Sequence, residues 1–174
     1  MFGELNEKRI HSGGEPELSC NASQSLRSVS FVELRNTLSS DVDIVSPFVD
    51  QLMRFISRFR VADENNVEIE LSLREALVNA IVHGNQEDPH KRVYVRCRCT
   101  ADGGVSVTVE DEGNGFEPNA VPDPTSPDNR LRTHGRGIYL IRTLMDEVCF
   151  EQGGSIVHMR KNPTGRQSAQ GRTQ

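Results

Sequence analysis

Tryptophan is absent from this chain, and aromatic residues make up only 5% of it. Any core must therefore rest on aliphatic side chains. These are sufficient: the chain is 35% hydrophobic over 174 residues, enough for one domain with a real interior. No apolar run approaches the ~20 residues needed to span a bilayer. The opening MFGELNEKRIHSGG has no apolar stretch of the kind a secretory signal carries. The reading is a cytoplasmic chain with no membrane partner.

Positive charge is in deficit. Twenty Lys and Arg stand against 25 Asp and Glu, a net charge of −5. Displacing counterions from a nucleic-acid backbone takes clustered Lys and Arg, so direct nucleic-acid binding is not expected. Cysteine is sparse, and Cys20, Cys97, Cys99 and Cys149 form no C-x-x-C framework. Cys97 and Cys99 alternate within VYVRCRCT. They should face one side of a strand as reduced structural thiols.

Residues 1–27 are polar and hold Gly13, Gly14 and Pro16. They read as a flexible N-terminal tail, and residues 162–174 as a flexible C-terminal one. Between them, residues 28–161 read as one domain. Residues 29–37 suggest a strand. In SSDVDIVSPFVDQLMRFISRF, Ile44, Phe48, Leu52, Phe55 and Ile56 recur at helical spacing, with Ser40 or Asp41 as the cap. VEIELSL alternates like a strand, yet Leu73, Leu77, Ala80, Ile81 and Gly84 continue it at the helical period. RVYVRCRCT and GVSVTVED form a hairpin across Asp102-Gly103. GIYLIRTLMDEV is a short amphipathic helix, and VCFEQ and SIVHMRK form a second hairpin turned at Gly153-Gly154. This order predicts an α+β two-layer sandwich, with helices on one face of a mixed, largely antiparallel sheet.

Three short segments carry chemistry. Glu75 and Asn79 stand four residues apart, one turn of a helix, within the apolar run of LREALVNAIVHGN. DEGNGF places Asp111, Gly113 and Gly115 directly after a strand, and HGRGIYLI places Gly135 and Gly137 directly before a helix. Each has an ordinary structural reading as a turn, a cap or a paired polar group. Together they match the needs of a nucleotide. Asp111 can accept from an exocyclic amino group of the base. Gly113 and Gly115 remove Cβ atoms where a ring must lie close to the backbone. Gly135 and Gly137 let free N–H groups at a helix start approach phosphate oxygens. Arg136, between them, either touches phosphate or points to solvent. Magnesium takes oxygen ligands and keeps several waters, so the Asn79 amide oxygen with the phosphates would hold it. Glu75 would then face the γ-phosphate as a base or a water-positioner.

The order E-x-x-x-N, D-x-G-x-G and G-x-G before LIRTLMDEV resembles the GHKL (Bergerat) ATP-binding fold. SLREALVNAIVHGN and GRGIYLIRTLMDEVCFE are similar, within it, to the bacterial anti-sigma-factor serine/threonine protein kinases. The resemblance implies ATP and Mg2+ as cofactors, with Glu75 as catalytic base, Asn79 on the metal, Asp111 on adenine, and a lid over residues 116–134. It implies a serine on a small anti-anti-sigma (STAS-type) partner as acceptor, a sigma factor as second partner, and room for a homodimer. The chain departs from the family at three places. No arginine falls at Pro47–Asp50, where the family's first helix carries one that engages the partner. Ser155 and Ile156 stand where paired threonines are usual, and His134 precedes Gly135 where glycine is frequent. Two further readings remain: a protein-binding regulatory module that holds ATP without transferring phosphate, and a detached histidine-kinase-like ATPase domain.

Overall fold

The computed structural model describes residues 6–10, 31–59, 66–115 and 136–163. Their strands form a six-stranded sheet in the order β1-β2-β3-β4-β6-β5. The strands are β1 (Asn6–Ile10), β2 (Phe31–Ser39), β3 (Arg92–Thr100), β4 (Val105–Asp111), β5 (Glu147–Glu151) and β6 (Ile156–Lys161). Every described pairing is antiparallel, so the parallel component of the expected mixed sheet is absent among the described residues. Strand β1 falls within the residues expected to form a flexible tail. NEKRI has no apolar alternation to announce it. Its place is given by ladder pairing with β2, which hydrophobic patterning does not report.

The helices are α1 (Val45–Ile56), preceded by a 3-10 turn over Val42–Ile44, then α2 (Asn66–Val78) and α3 (Arg136–Leu144). Asp41 caps the 3-10 turn by accepting from Asp43 N at 3.0 Å, while the Ser40 hydroxyl is buried without a partner. The helical reading of VEIELSL holds. Ile69, Leu73, Leu77 and Ile81 share one buried stripe, and that burial outweighs the strand-like alternation of the segment. Leu34, Val93, Val95, Val107, Val109 and Met159 from the sheet meet Phe48, Leu52, Phe55, Leu73, Leu77 and Ile141 in one core. The helices thus cover one sheet face, as expected. Cys97 and Cys99 both point into this core as free thiols. A hydrogen bond with Cys99 and then burial raise the Cys97 thiol well above its usual range. No described helix is long and apolar enough to cross a membrane.

Ionic ties close the edges of the sandwich. On the sheet face away from the helices, Glu33 is 1% exposed and accepts from the guanidinium groups of Arg35 and Arg98. Arg98 of β3 is thereby tied to β2. At the opposite margin the buried Lys161 donates to Leu144 O at 2.7 Å. It also pairs with Glu68 at 2.6 Å and Asp146 at 3.3 Å. It joins the last strand to the start of α2 and the end of α3. Arg74 of α2 reaches Ser46 at 3.1 Å and Asp50 at 3.2 Å, tying α2 to α1.

Burial pushes the Glu33 carboxyl up, but the hydrogen bonds and charges of Arg98 and Arg35 outweigh it and hold the group below its ordinary 4.5. Its stabilising contribution is thus complete above the ordinary glutamate range and is lost as pH falls through the lowered value. Glu33→Gln should cost about 1–3 kcal/mol at neutral pH, because it leaves two guanidinium groups without their counter-charge. Urea denaturation at neutral and acidic pH should show the variant's deficit shrinking in acid. An equal deficit at both pH values would remove the ionised pair from the account.

Candidate functional site

Helix α2 does not stop at Val78. It widens into a π-helical turn over Asn79–Gly84 that ends with Asn85 N donating to Ala80 O at 2.8 Å. Such turns insert one residue into a helix and are frequent at functional sites. Here the turn carries the helix to Gly84, which meets the end of β4. A Cβ on Gly84 would stand 2.6 Å from Asp111 Oδ2, and a Cβ on Gly113 would stand 2.6 Å from Asp111 Oδ1 and press on the Gly84 carbonyl. Two glycines are therefore required for two backbone segments to pass beside one carboxylate. Gly84, which the sequence places on the helical period and whose glycine also suits a helix stop, is part of this contact. The sequence signal for that second role was its position just past a polar helix face, which by itself does not separate a stop from a close approach.

Asp111 is the last residue of β4 and is half-buried. Its backbone N–H donates to Ser155 O at 3.0 Å, which anchors it to the start of β6. Its Oδ1 accepts from Gly113 N at 2.8 Å. Burial pushes the carboxyl above its ordinary 3.8, against the lowering by the Gly113 N–H and the charge of Lys91, while Glu110 adds to the rise. A desolvated carboxylate with one oxygen committed to a backbone donor retains acceptor capacity for a further donor. Gly115 has φ +72, a left-handed conformation that favours glycine, and its missing Cβ lets the turn lie against Gly153 of the β5–β6 connection.

Glu75, in the middle of α2, is half-buried. A Cβ on Gly137 would stand 2.6 Å from Glu75 Cδ. The carboxylate thus lies against the first turn of α3, and glycine at 137 is what admits it. Arg136 opens α3. Asn79 is half-buried and begins the π-turn, between Glu75 and Gly84 on one continuous helix. Three elements therefore carry the described expected residues, with Gly84 added to them, and two contacts join these elements: Glu75 with Gly137, and Gly84 with Asp111 and Gly113. The α2 helix and its π-turn bring Glu75, Asn79 and Gly84, the end of β4 brings Asp111, Gly113 and Gly115, and the start of α3 brings Gly137. Gly135 and the lid expected over residues 116–134 lie outside the described residues.

The sequence that builds this geometry is similar to those of known proteins. The profile of the histidine kinase-like ATPase domain matches residues 38–161. The anti-sigma F factor of Heyndrickxia coagulans is 35% identical over 95 residues, covering 51% of this chain and 63% of the relative. That of Oceanobacillus iheyensis is 30% identical over 117 residues, covering 62% and 76%. The serine-protein kinase RsbW of Staphylococcus epidermidis is 26% identical over 138 residues, covering 75% and 86%. The matched span contains all three converging segments, and proteins of this family use ATP. The chain belongs to the histidine kinase-like ATPase family and, within it, is similar to anti-sigma F factors and, at lower identity, to a serine-protein kinase.

Proposed function

We propose that this protein is an ATP-dependent serine/threonine protein kinase of the anti-sigma type. It would phosphorylate a serine on a small anti-anti-sigma (STAS-type) partner and hold a sigma factor in turn. The observation that carries the reading is the convergence of Glu75 with the start of α3 and of Asp111 with Gly84 and Gly113, at two ends of one helical stretch. The donor set supports a nucleotide reading: a half-buried carboxylate with acceptor capacity to spare stands at one end of the helical stretch, and a helix start stands at the other.

In this reading Asp111 accepts from the adenine amino group, with Gly113 and Gly115 beside the ring. The α3 start, with Gly135, Arg136 and Gly137, takes the phosphates. Bound Mg2+ would supply charge neutralisation at the phosphate oxygens, and the Asn79 amide oxygen is the hard donor available to hold it. Glu75 then accepts the proton of the attacking serine hydroxyl. Its position against Gly137 keeps that carboxylate beside the phosphate end rather than the base end. Near the first-helix positions where the family presents an arginine, Arg74 reaches Ser46 and Asp50 from α2 and remains 31% exposed, and Arg54 stands one turn after Asp50 on α1. This supports a partner surface across α1 and α2. A homodimer is part of the same proposal.

Asp111→Asn should weaken ATP binding by about 1–3 kcal/mol, since a carboxamide loses the charge and one acceptor. The raised carboxyl also implies a direction with pH. ATP affinity of the parent should fall as pH drops through a value above 3.8, and the variant should lack that part of the fall. Calorimetry at several pH values reads both effects, and equal affinity in parent and variant would remove Asp111 from base recognition.

Glu75 and Asn79 should separate kinetically. Glu75→Gln is expected to leave ATP binding nearly intact while transfer of labelled phosphate to a serine-bearing anti-anti-sigma protein falls by about 10²–10⁴. Asn79→Ala should instead weaken nucleotide binding only when magnesium is present. If Glu75→Gln lowers thermal stability and leaves transfer per folded molecule unchanged, Glu75 is a structural carboxylate.

A further inference from the structure

Asn85 directly follows the π-turn and is 0% exposed. Its carboxamide joins two segments that are remote in sequence. Oδ1 accepts from Glu112 N at 2.9 Å, and Nδ2 donates to Arg92 O at 2.9 Å. These partners set the amide's orientation, because a backbone N–H only donates and a carbonyl only accepts. Glu112 is tied again through its side chain: Oε1 accepts from Tyr94 OH at 2.8 Å, and Oε2 accepts from Arg92 N at 2.8 Å. The residue after Asp111 is thus held at its backbone N–H and at both carboxylate oxygens. Beyond Asn85, Gln86 and Glu87 have φ 58 and 55. Left-handed backbone at non-glycine residues persists where the surroundings over-determine it, and Asn85 is where those surroundings are anchored.

We propose that Asn85 is a positioning residue for nucleotide recognition. Its buried carboxamide clamps the Asp111–Gly113 turn to the π-turn, and so sets where the Asp111 carboxylate meets the base. The inference rests on the reading of Asp111 as the base acceptor. Adenine presents an amino donor where guanine presents a carbonyl oxygen. A well-placed Asp111 therefore favours ATP over GTP, and a loosened one favours it less. Asn85 acts through Asp111 alone, so removing Asp111's charge should also remove the effect of changing Asn85.

The test is calorimetric titration of ATP and of GTP, with magnesium, into the full chain as parent, Asn85→Asp, Asn85→Ser, Asp111→Asn and the double variants. Asn85→Asp keeps the shape and the acceptor for Glu112 N, but sets a second acceptor against the Arg92 carbonyl. It should weaken ATP about tenfold and narrow the ATP-over-GTP preference by a similar factor. In the Asp111→Asn background the same change should alter ATP affinity by less than about twofold. Thermal unfolding supplies the folded fraction for each protein, and Asn85→Ser stands in if Asn85→Asp does not fold. A folded Asn85 variant that keeps the parent's ATP affinity and preference overturns the proposal while leaving the Asp111 reading intact. An equal loss for ATP and GTP, or unfolding of both Asn85 variants beside a folded Asp111→Asn, makes Asn85 merely structural and overturns it as well. Parent-like ATP binding by Asp111→Asn removes the base reading itself, and this inference with it.

Discussion

The end of α2 and the end of β4 pass each other at backbone distance. At Gly84 and Gly113 neither segment has a side chain to interpose, and the Asp111 carboxylate occupies the space that is left. Most of the candidate site depends on this contact. It sets how far the π-turn must extend, and it desolvates Asp111. It also brings Asn85 within hydrogen-bond reach of both Glu112 and Arg92. A single methyl on either glycine would force one segment to move.

The rest of the architecture holds that contact in place. Leu73, Leu77 and Ile81 bury one stripe of α2 and its extension against the sheet, which fixes the rotation of the helix that carries Glu75 and Asn79. The ladder from β3 through β4 to β6 fixes the end of β4, and Asp111 N to Ser155 O is its last bond on that side. Lys161 and Arg74 tie α2 to its neighbours from opposite sides. Exposed ion pairs stabilise little, but Lys161 is buried and Glu33 more so. Their partners are therefore needed to avoid uncompensated charge.

The sequence sets a carboxylate and a carboxamide one turn apart within an apolar run of α2 and its extension. The fold places both only half-buried, with Glu75 against a glycine at the start of α3. A helix that buries one face and meets a second helix's N-terminus on another can carry polar groups on that second face without orphaning them.

Local patterning determined a good deal. The 3.6-residue period of Leu73, Leu77 and Ile81, the two hairpins, the inward pair Cys97 and Cys99, and the helices-on-one-face layer were all legible, because each depends on spacing along the chain. The three motif segments stood out as residue types suited to a nucleotide, a role that rests on the proposed function. Tertiary structure alone decided the rest. Strand β1 has no apolar alternation, and its place comes from ladder bonds to β2. The π-turn is a one-residue insertion with no distinctive composition. Gly84 and Asn85 acquired their roles only from what β4 brings beside them. The physical reason is common to all: close backbone approach and buried polar pairing are relations between remote segments, and neither leaves a periodic trace in the sequence.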